Sequence, residues 1–229
     1  MNQHNFDLKQ LLLVAGLAVV GISLFAACGN IGAARDEARK MQSSTQLRGI
    51  HQGLVVFANS NRNYFPGISA SNENDGIEVE SRFQTLMEGD FFTPEYAISP
   101  SETEANIVMW DGTSPVVSDN YSFAMLQLPD DDPENASDRE GRRTEWAQTL
   151  NSQAIAMSDR NLGTPSQPGS VYADPSVGWH GAAVWNDNAV MFETDEVFET
   201  KYDGGELNPT DDLFEAESDF DAWLIHSGN

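Results

Sequence analysis

The feature that most constrains this chain is an uncharged run near its start. From Leu11 to Cys28 no side chain carries a charge, and as a helix rising about 1.5 Å per residue the run is about 27 Å long, close to the hydrocarbon thickness of a bilayer. The helical pattern then continues. Ile31, Ala34, Ala38 and Met41, followed by Leu47, Ile50, Leu54 and Phe57, recur at spacings of three and four, with Arg35, Arg39, Lys40, Gln46, Arg48 and Gln52 between them. That periodicity marks one face of an α-helix. Gly29, Gly32, Gly49 and Gly53 each weaken such a helix by up to about 1 kcal/mol relative to Ala, and a kink is expected near residues 29–32. The turn-forming run Asn59-Ser60-Asn61-Arg62-Asn63 and then Pro66-Gly67 should end it near Asn61 to Asn63.

Two other uses of the apolar run compete with a permanent helix. A cleaved secretory signal would have a more basic start and a shorter apolar stretch, whereas only Lys9 and the terminal amine precede this one. Leu24-Phe25-Ala26-Ala27-Cys28 places two small residues before a cysteine, the arrangement lipid transfer needs. In that alternative Cys28 anchors a membrane-tethered periplasmic binding module. A lipoprotein continues as a flexible polar linker, however, and here the helical pattern resumes directly after Gly29-Asn30. With a single cysteine in the chain, Cys28 is either a small packing residue or a lipid acceptor, and no internal disulfide can form.

Charge divides the chain. Lys and Arg number 12 against 36 Asp and Glu, a net charge of −24. Residues 1–62 carry six Lys and Arg against three Asp and Glu, and residues 63–229 six against 33, a balance of −27, in a stretch long enough to bury its own core. A surface of this sign repels a phosphate backbone, so nucleic acid is excluded as a partner. Three segments follow: residues 1–30 as an N-terminal segment with the apolar run, 31–62 as the extramembrane continuation of the helix, and 63–229 as an acidic domain. Within that domain residues 68–80 read as an exposed loop, Phe83 to Met87 as a short helix stopped by Gly89, and Leu128 to Arg143 as a loop. Strands are expected at Asn106 to Trp110, Tyr121 to Leu128, Ala154 to Ser158, and in a hairpin of Ala182 to Trp185 with Ala189 to Glu193. Asn186-Asp187-Asn188 supplies the residues tolerant of left-handed backbone that its turn requires. The end of the chain, Asp219 to Ile225, should pack as a last strand or short helix.

Several segments together resemble type IV pilin-like proteins and type II secretion pseudopilins, most closely the planctomycete-type prepilin-like proteins that end in a His-x9-Asp-Gly motif. Phe6 and Leu8 match the segment after the processing site. Ala34-Arg35, Ala38-Arg39, Gln46-Leu47-Arg48-Gly49-Ile50 and Tyr64-Phe65-Pro66-Gly67 match the segments that follow the apolar helix. Thr93-Pro94 and Ser99-Pro100 match a later passage. Met157-Ser158-Asp159-Arg160 resembles the strand that precedes the terminal motif, and Trp179-His180-Gly181 through Asp187-Asn188 resembles that motif with a shorter spacing and Asn188 in place of Gly. Asn5 stands where the prepilin peptidase expects Gly, and Gln10 where pilins carry a Glu that neutralises a neighbour's terminal amine. The resemblance implies an α+β fold, a long N-terminal transmembrane helix packed on an antiparallel sheet. It also implies processing between Asn5 and Phe6 by a prepilin peptidase, methylation of the new terminus, single-pass placement in the inner membrane, and other pilin-like subunits as partners. The function it implies is that of a structural or accessory subunit of a type II secretion or type IV pilus-like assembly, and not that of an enzyme.

The residues themselves point the same way on catalysis. No Gly-x-Ser-x-Gly elbow, phosphate-binding loop or dinucleotide fingerprint occurs. His180 with Asp187 is the one acid–base pairing to consider, against a histidine bonded to backbone at the base of a hairpin. Calcium is the one cofactor to consider: Asp203, Glu206, Asp211 and Asp212 lie in a run of oxygen donors bent by glycines and a proline, of the kind Ca2+ prefers, against the alternative of a solvated acidic loop.

Overall fold

A computed structural model describes residues 8–102, 104–129, 140–172 and 178–227, with side chains described from residue 32 onward. The chain divides into two units, residues 1–39 and 40–229. One helix, α1 (Leu8–Ala58), is assigned without interruption, including residues 29–32 where a kink is expected. It ends three residues before the expected stop. Arg62 and Asn63 then adopt left-handed backbone, with φ of 52° and 71°, which turns the chain toward Tyr64 and Phe65.

The second unit is α+β with antiparallel sheets. Beyond α1 come β1 (Gly67–Ile68), β2 (Asn74–Asp75), α2 (Val79–Glu88), β3 (Phe123–Leu126), α3 (Arg142–Glu145), β4 (Ile155–Asp159), β5 (Gly181–Trp185), β6 (Val190–Glu193), β7 (Val197–Thr200), β8 (Asn208–Asp212) and β9 (Leu224–Ile225). The central sheet has the order β6-β5-β4-β3-β9; β1-β2 and β7-β8 are separate ribbons. The expected hairpin is present, its turn closed by Asn188 at φ 67°. The expected last strand is β9 on the far edge.

Three expectations are corrected. Asn106 to Trp110 is not a strand: Val108 and Met109 are exposed, and Trp110 donates through Nε1 to Ser114 O at 2.6 Å across a turn carried by Asp111 and Gly112. The apolar residues there have no neighbouring strand to pair with, and apolarity without a ladder partner does not make a strand. Residues 68–80 are not wholly an exposed loop, since Ile68 is buried, β1 and β2 pair, and α2 already begins at Val79. Part of the acidic run 203–212 is β8, which pairs with a strand not anticipated, β7.

Period-two alternation sorts the sheet's two faces. Asp159, Met157, Ala182, Val184, Val190 and Phe192 share one face by register, and Asp159 and Phe192 on that face meet α1 through Ser43 and Lys40. Ala183, Trp185, Met191 and Glu193 share the other face, where the Trp185 ring meets Phe198 of β7 at 5.9 Å. β4 and β5 are buried along their whole length because each face is covered.

In α1 the buried positions of the second unit are Ser43, Gln46, Leu47, Ile50, His51, Gly53, Leu54 and Ala58, the three-and-four spacing of a single stripe. Leu47, Ile50 and Leu54 match expectation; Met41 does not, being 72 % exposed. Gly49 is explained by crowding, since a Cβ there would stand 2.8 Å from the Tyr96 ring. Four arginines of the domain turn inward: Arg82, Arg142, Arg143 and Arg160. Arg142 bonds Gln127 O at 3.0 Å and pairs with Asp221, Arg143 reaches Asn72 O at 3.0 Å, and Arg82 lies over the Trp146 ring at 4.8 Å.

Candidate functional site

The sequence-predicted positions fall in four places. Asn5 and Phe6 lie outside the described residues, as do the side chains of Gln10 and Cys28. Among the described residues no helix is long and apolar enough to cross a membrane; the stretch Leu11 to Cys28 lies outside those whose side chains are described.

His180 and Asp187 stand at opposite ends of β5, one just before Gly181 and the other in the turn after Trp185, so they form no acid–base pair. His180 Nδ1 lies 3.4 Å from Gly178 O. Asp187 is a turn carboxylate, accepting the Ala189 N–H at 2.9 Å.

The four candidate calcium ligands are dispersed in role. Asp203 joins an isolated bridge with Gly141, and Glu206 is exposed. Asp212 accepts the Phe214 N–H at 2.9 Å. Asp211 is buried, accepting from Thr200 Oγ1 and from the Ala222 N–H at 2.8 Å. Burial pushes its carboxyl up to about 6, even with these two donors holding it down. Among the described residues no three His, Cys, Asp or Glu side chains lie together as a metal ion would require.

What the structure does assemble is a polar cluster on the seam between α1 and the sheet, centred on Asp159. One carboxylate oxygen accepts the Ser43 hydroxyl at 2.8 Å; the other accepts the Ala182 N–H at 2.7 Å and the Tyr172 hydroxyl at 3.0 Å. Ser43 Oγ is also 3.3 Å from Ser99 Oγ. Next along the chain, Arg160 holds Glu102 in a bidentate pair, both contacts 2.9 Å. Burial pushes the Asp159 carboxyl up to about 6 against those three donors, with the Glu102 charge adding to the rise. For Glu102 burial also pushes upward, but the Arg160 hydrogen bond and charge outweigh it and hold the group below its usual range. The segment Asp159-Arg160 thus fastens a helix, a strand and a loop at one point. Gly181 follows from the same crowding: a Cβ there would lie 2.9 Å from Asp159 Cβ and 2.8 Å from the Trp179 ring.

Further along the seam, His51 Nδ1 is 3.2 Å from Asn188 Oδ1, and its ring meets Phe65 edge-on at 5.7 Å. Burial lowers it to about 4, against the opposing pull of Asn188, Asn186 and the Asp187 charge, so it is neutral near pH 7. Ser43 therefore reaches the start of β5 through Asp159, and His51 meets the turn after its end. α1 runs beside β5 in the same sense. His51 was not singled out by sequence; the only signal was a histidine on the apolar stripe of a helix.

These groups are bonded to one another inside the molecule. Comparison with protein-family models, curated proteins and solved structures finds no match.

Proposed function

We propose that this chain is a non-enzymatic, pilin-like structural or accessory subunit of a type II secretion or type IV pilus-like assembly. In this reading Leu11 to Cys28 spans the inner membrane once and the acidic domain stands outside it. The observation that carries the reading is the use of α1. From Ser43 to Ala58 one stripe is buried against the domain, whereas every described side chain from Gly32 to Arg39 is exposed and Met41 follows at 72 %. A helix that long, committed to its own domain over only its last part, leaves the remainder for lipid or for other subunits. The motif residues fit the same reading, because Asp159, Arg160 and Gly181 act as fasteners of the helix to the sheet rather than as reactive groups.

The alternative is a tethered binding module anchored at Cys28; a groove on the sheet face opposite α1 favours it. The intact mass and N-terminal peptide of the protein from its native membrane separate the two. A chain beginning at a methylated Phe6 is the expected result. A lipid on Cys28 replaces the subunit with the tethered module, and an intact Met1 removes processing and with it assembly of the pilin kind.

A further inference from the structure

The sheet face opposite α1 holds an open groove of about 440 Å3 between β6 and β7. Its floor is apolar: Trp185, Met191, Val197 and Phe198. Met191 and Val197 are 53 % and 45 % exposed, unusual for large apolar side chains on a strand facing solvent. Carboxylates ring that floor, from Asp187, Glu193, Asp195 and Glu199. Beside the rim, Glu196 is pushed above its usual range by partial burial and then by the Asp195 and Asp212 charges.

Backbone geometry adds the third element. β6 is the edge of the five-stranded sheet and, among the described residues, pairs only with β5; β7 pairs only with β8. The two strands follow one another in sequence yet do not join, so β6 keeps an outer edge of main-chain donors and acceptors beside the groove. An open edge is a template for another strand. An added strand bonds through its main chain and gains specificity from alternate side chains in adjoining pockets.

We propose that this groove receives an extended basic segment of a partner protein, in which an apolar residue is flanked by Lys or Arg two positions away on either side, so that all three share the face turned to the groove. The apolar side chain would cover Met191 and Val197 while the cationic ones on the same face meet Glu193, Asp195 and Glu199, and the segment's backbone would extend the sheet at β6. The rim's charge selects a cationic occupant and disfavours a second acidic domain of this kind. This surface is distinct from α1 and does not depend on how α1 is used.

The probe is a labelled, capped peptide of sequence Lys-Ser-Val-Ser-Lys, whose Lys and Val side chains share one face of an extended strand, titrated by fluorescence anisotropy against the full chain in nonionic detergent. Saturable binding is expected, weakening as salt rises. It should fall about tenfold in the double variant Glu193→Lys with Glu199→Lys, and comparably when alternate peptide amides are N-methylated. A separate variant, Val197→Lys, should weaken it through the floor. Equal binding of Glu-Ser-Val-Ser-Glu would overturn the proposal. So would equal binding of Lys-Ser-Gly-Ser-Lys or of the N-methylated peptide, either of which would reduce the groove to an ionic surface only.

Discussion

The two ends of the seam between α1 and the sheet are built from different chemistry. At the Ser43 end the contacts are polar and directional: a buried carboxylate with three donors, and an Arg160–Glu102 pair beside it. At the Ala58 end Leu54, Ala58, Phe65, Phe83 and Trp146 are fully buried, and Phe65 meets the Trp146 ring edge-on at 5.4 Å. Apolar packing is non-directional and supplies most of the stabilisation. A buried carboxylate supplies less, because desolvation offsets much of what its hydrogen bonds return. It does fix which turn of α1 faces which residue of the sheet. The apolar end sets how firmly the helix is held and the polar end sets its register.

Substitutions at the two ends should therefore differ in kind. Leu54→Ala should have the largest effect, a loss of about 3 kcal/mol from buried side-chain volume, read as a lower urea midpoint with unchanged slope. A loss under about 1 kcal/mol would remove the apolar end from its assigned role.

Asp159→Asn should act through pH instead. The unfolded aspartate titrates near 4 and the folded one at about 6, so the folded state holds the extra proton between those values and this group lowers stability as pH rises through the window. The amide has no such titration. Relative to the parent chain the variant should gain up to about 3 kcal/mol between pH 4 and pH 7, measured as the difference of urea midpoints at each pH. His51 runs the other way: near 6.5 unfolded and about 4 folded, it adds stability as pH rises through that window. The parent chain's own profile is therefore flatter than that of either group alone. A variant that tracks the parent at every pH would place the Asp159 charge outside the energetics of the seam.

Met41→Ala, two residues before the stripe begins at Ser43, should change domain stability by less than about 0.5 kcal/mol. A larger loss would mean that the stripe starts earlier than Ser43.

Sequence patterning located α1 because a 3.6-residue period is recorded in one chain segment, and it located the β5–β6 hairpin because alternation and the turn residues Asn186-Asp187-Asn188 are adjacent. It placed Met41 on the buried stripe, since period alone cannot say where along a helix its covering layer begins. β7 and β8 escaped notice because Val197-Phe198-Glu199-Thr200 is only four residues long and Asn208-Pro209-Thr210-Asp211-Asp212 is short and polar, and their pairing is not written in either one. The acidic run read as ion ligands contains Asp211, whose inward direction depends on Thr200 and Ala222. Asp159 could be noticed as part of a motif, but its partners come from positions 43, 172 and 182. No local spacing brings those together.

The inward turn of Arg82, Arg142, Arg143 and Arg160 bears on how crowded copies of this domain behave. Among the described residues beyond Arg62, Lys201 is the only exposed lysine or arginine. The described cations of this stretch other than Lys201 are thus withheld from the solvent, and a neighbouring copy meets a largely anionic surface there. Such surfaces repel until small counterions screen them, over a Debye length of about 8 Å at 0.15 M salt. The closest spacing at which these domains can be arrayed is then governed by ionic strength, and dilution alone should push them apart.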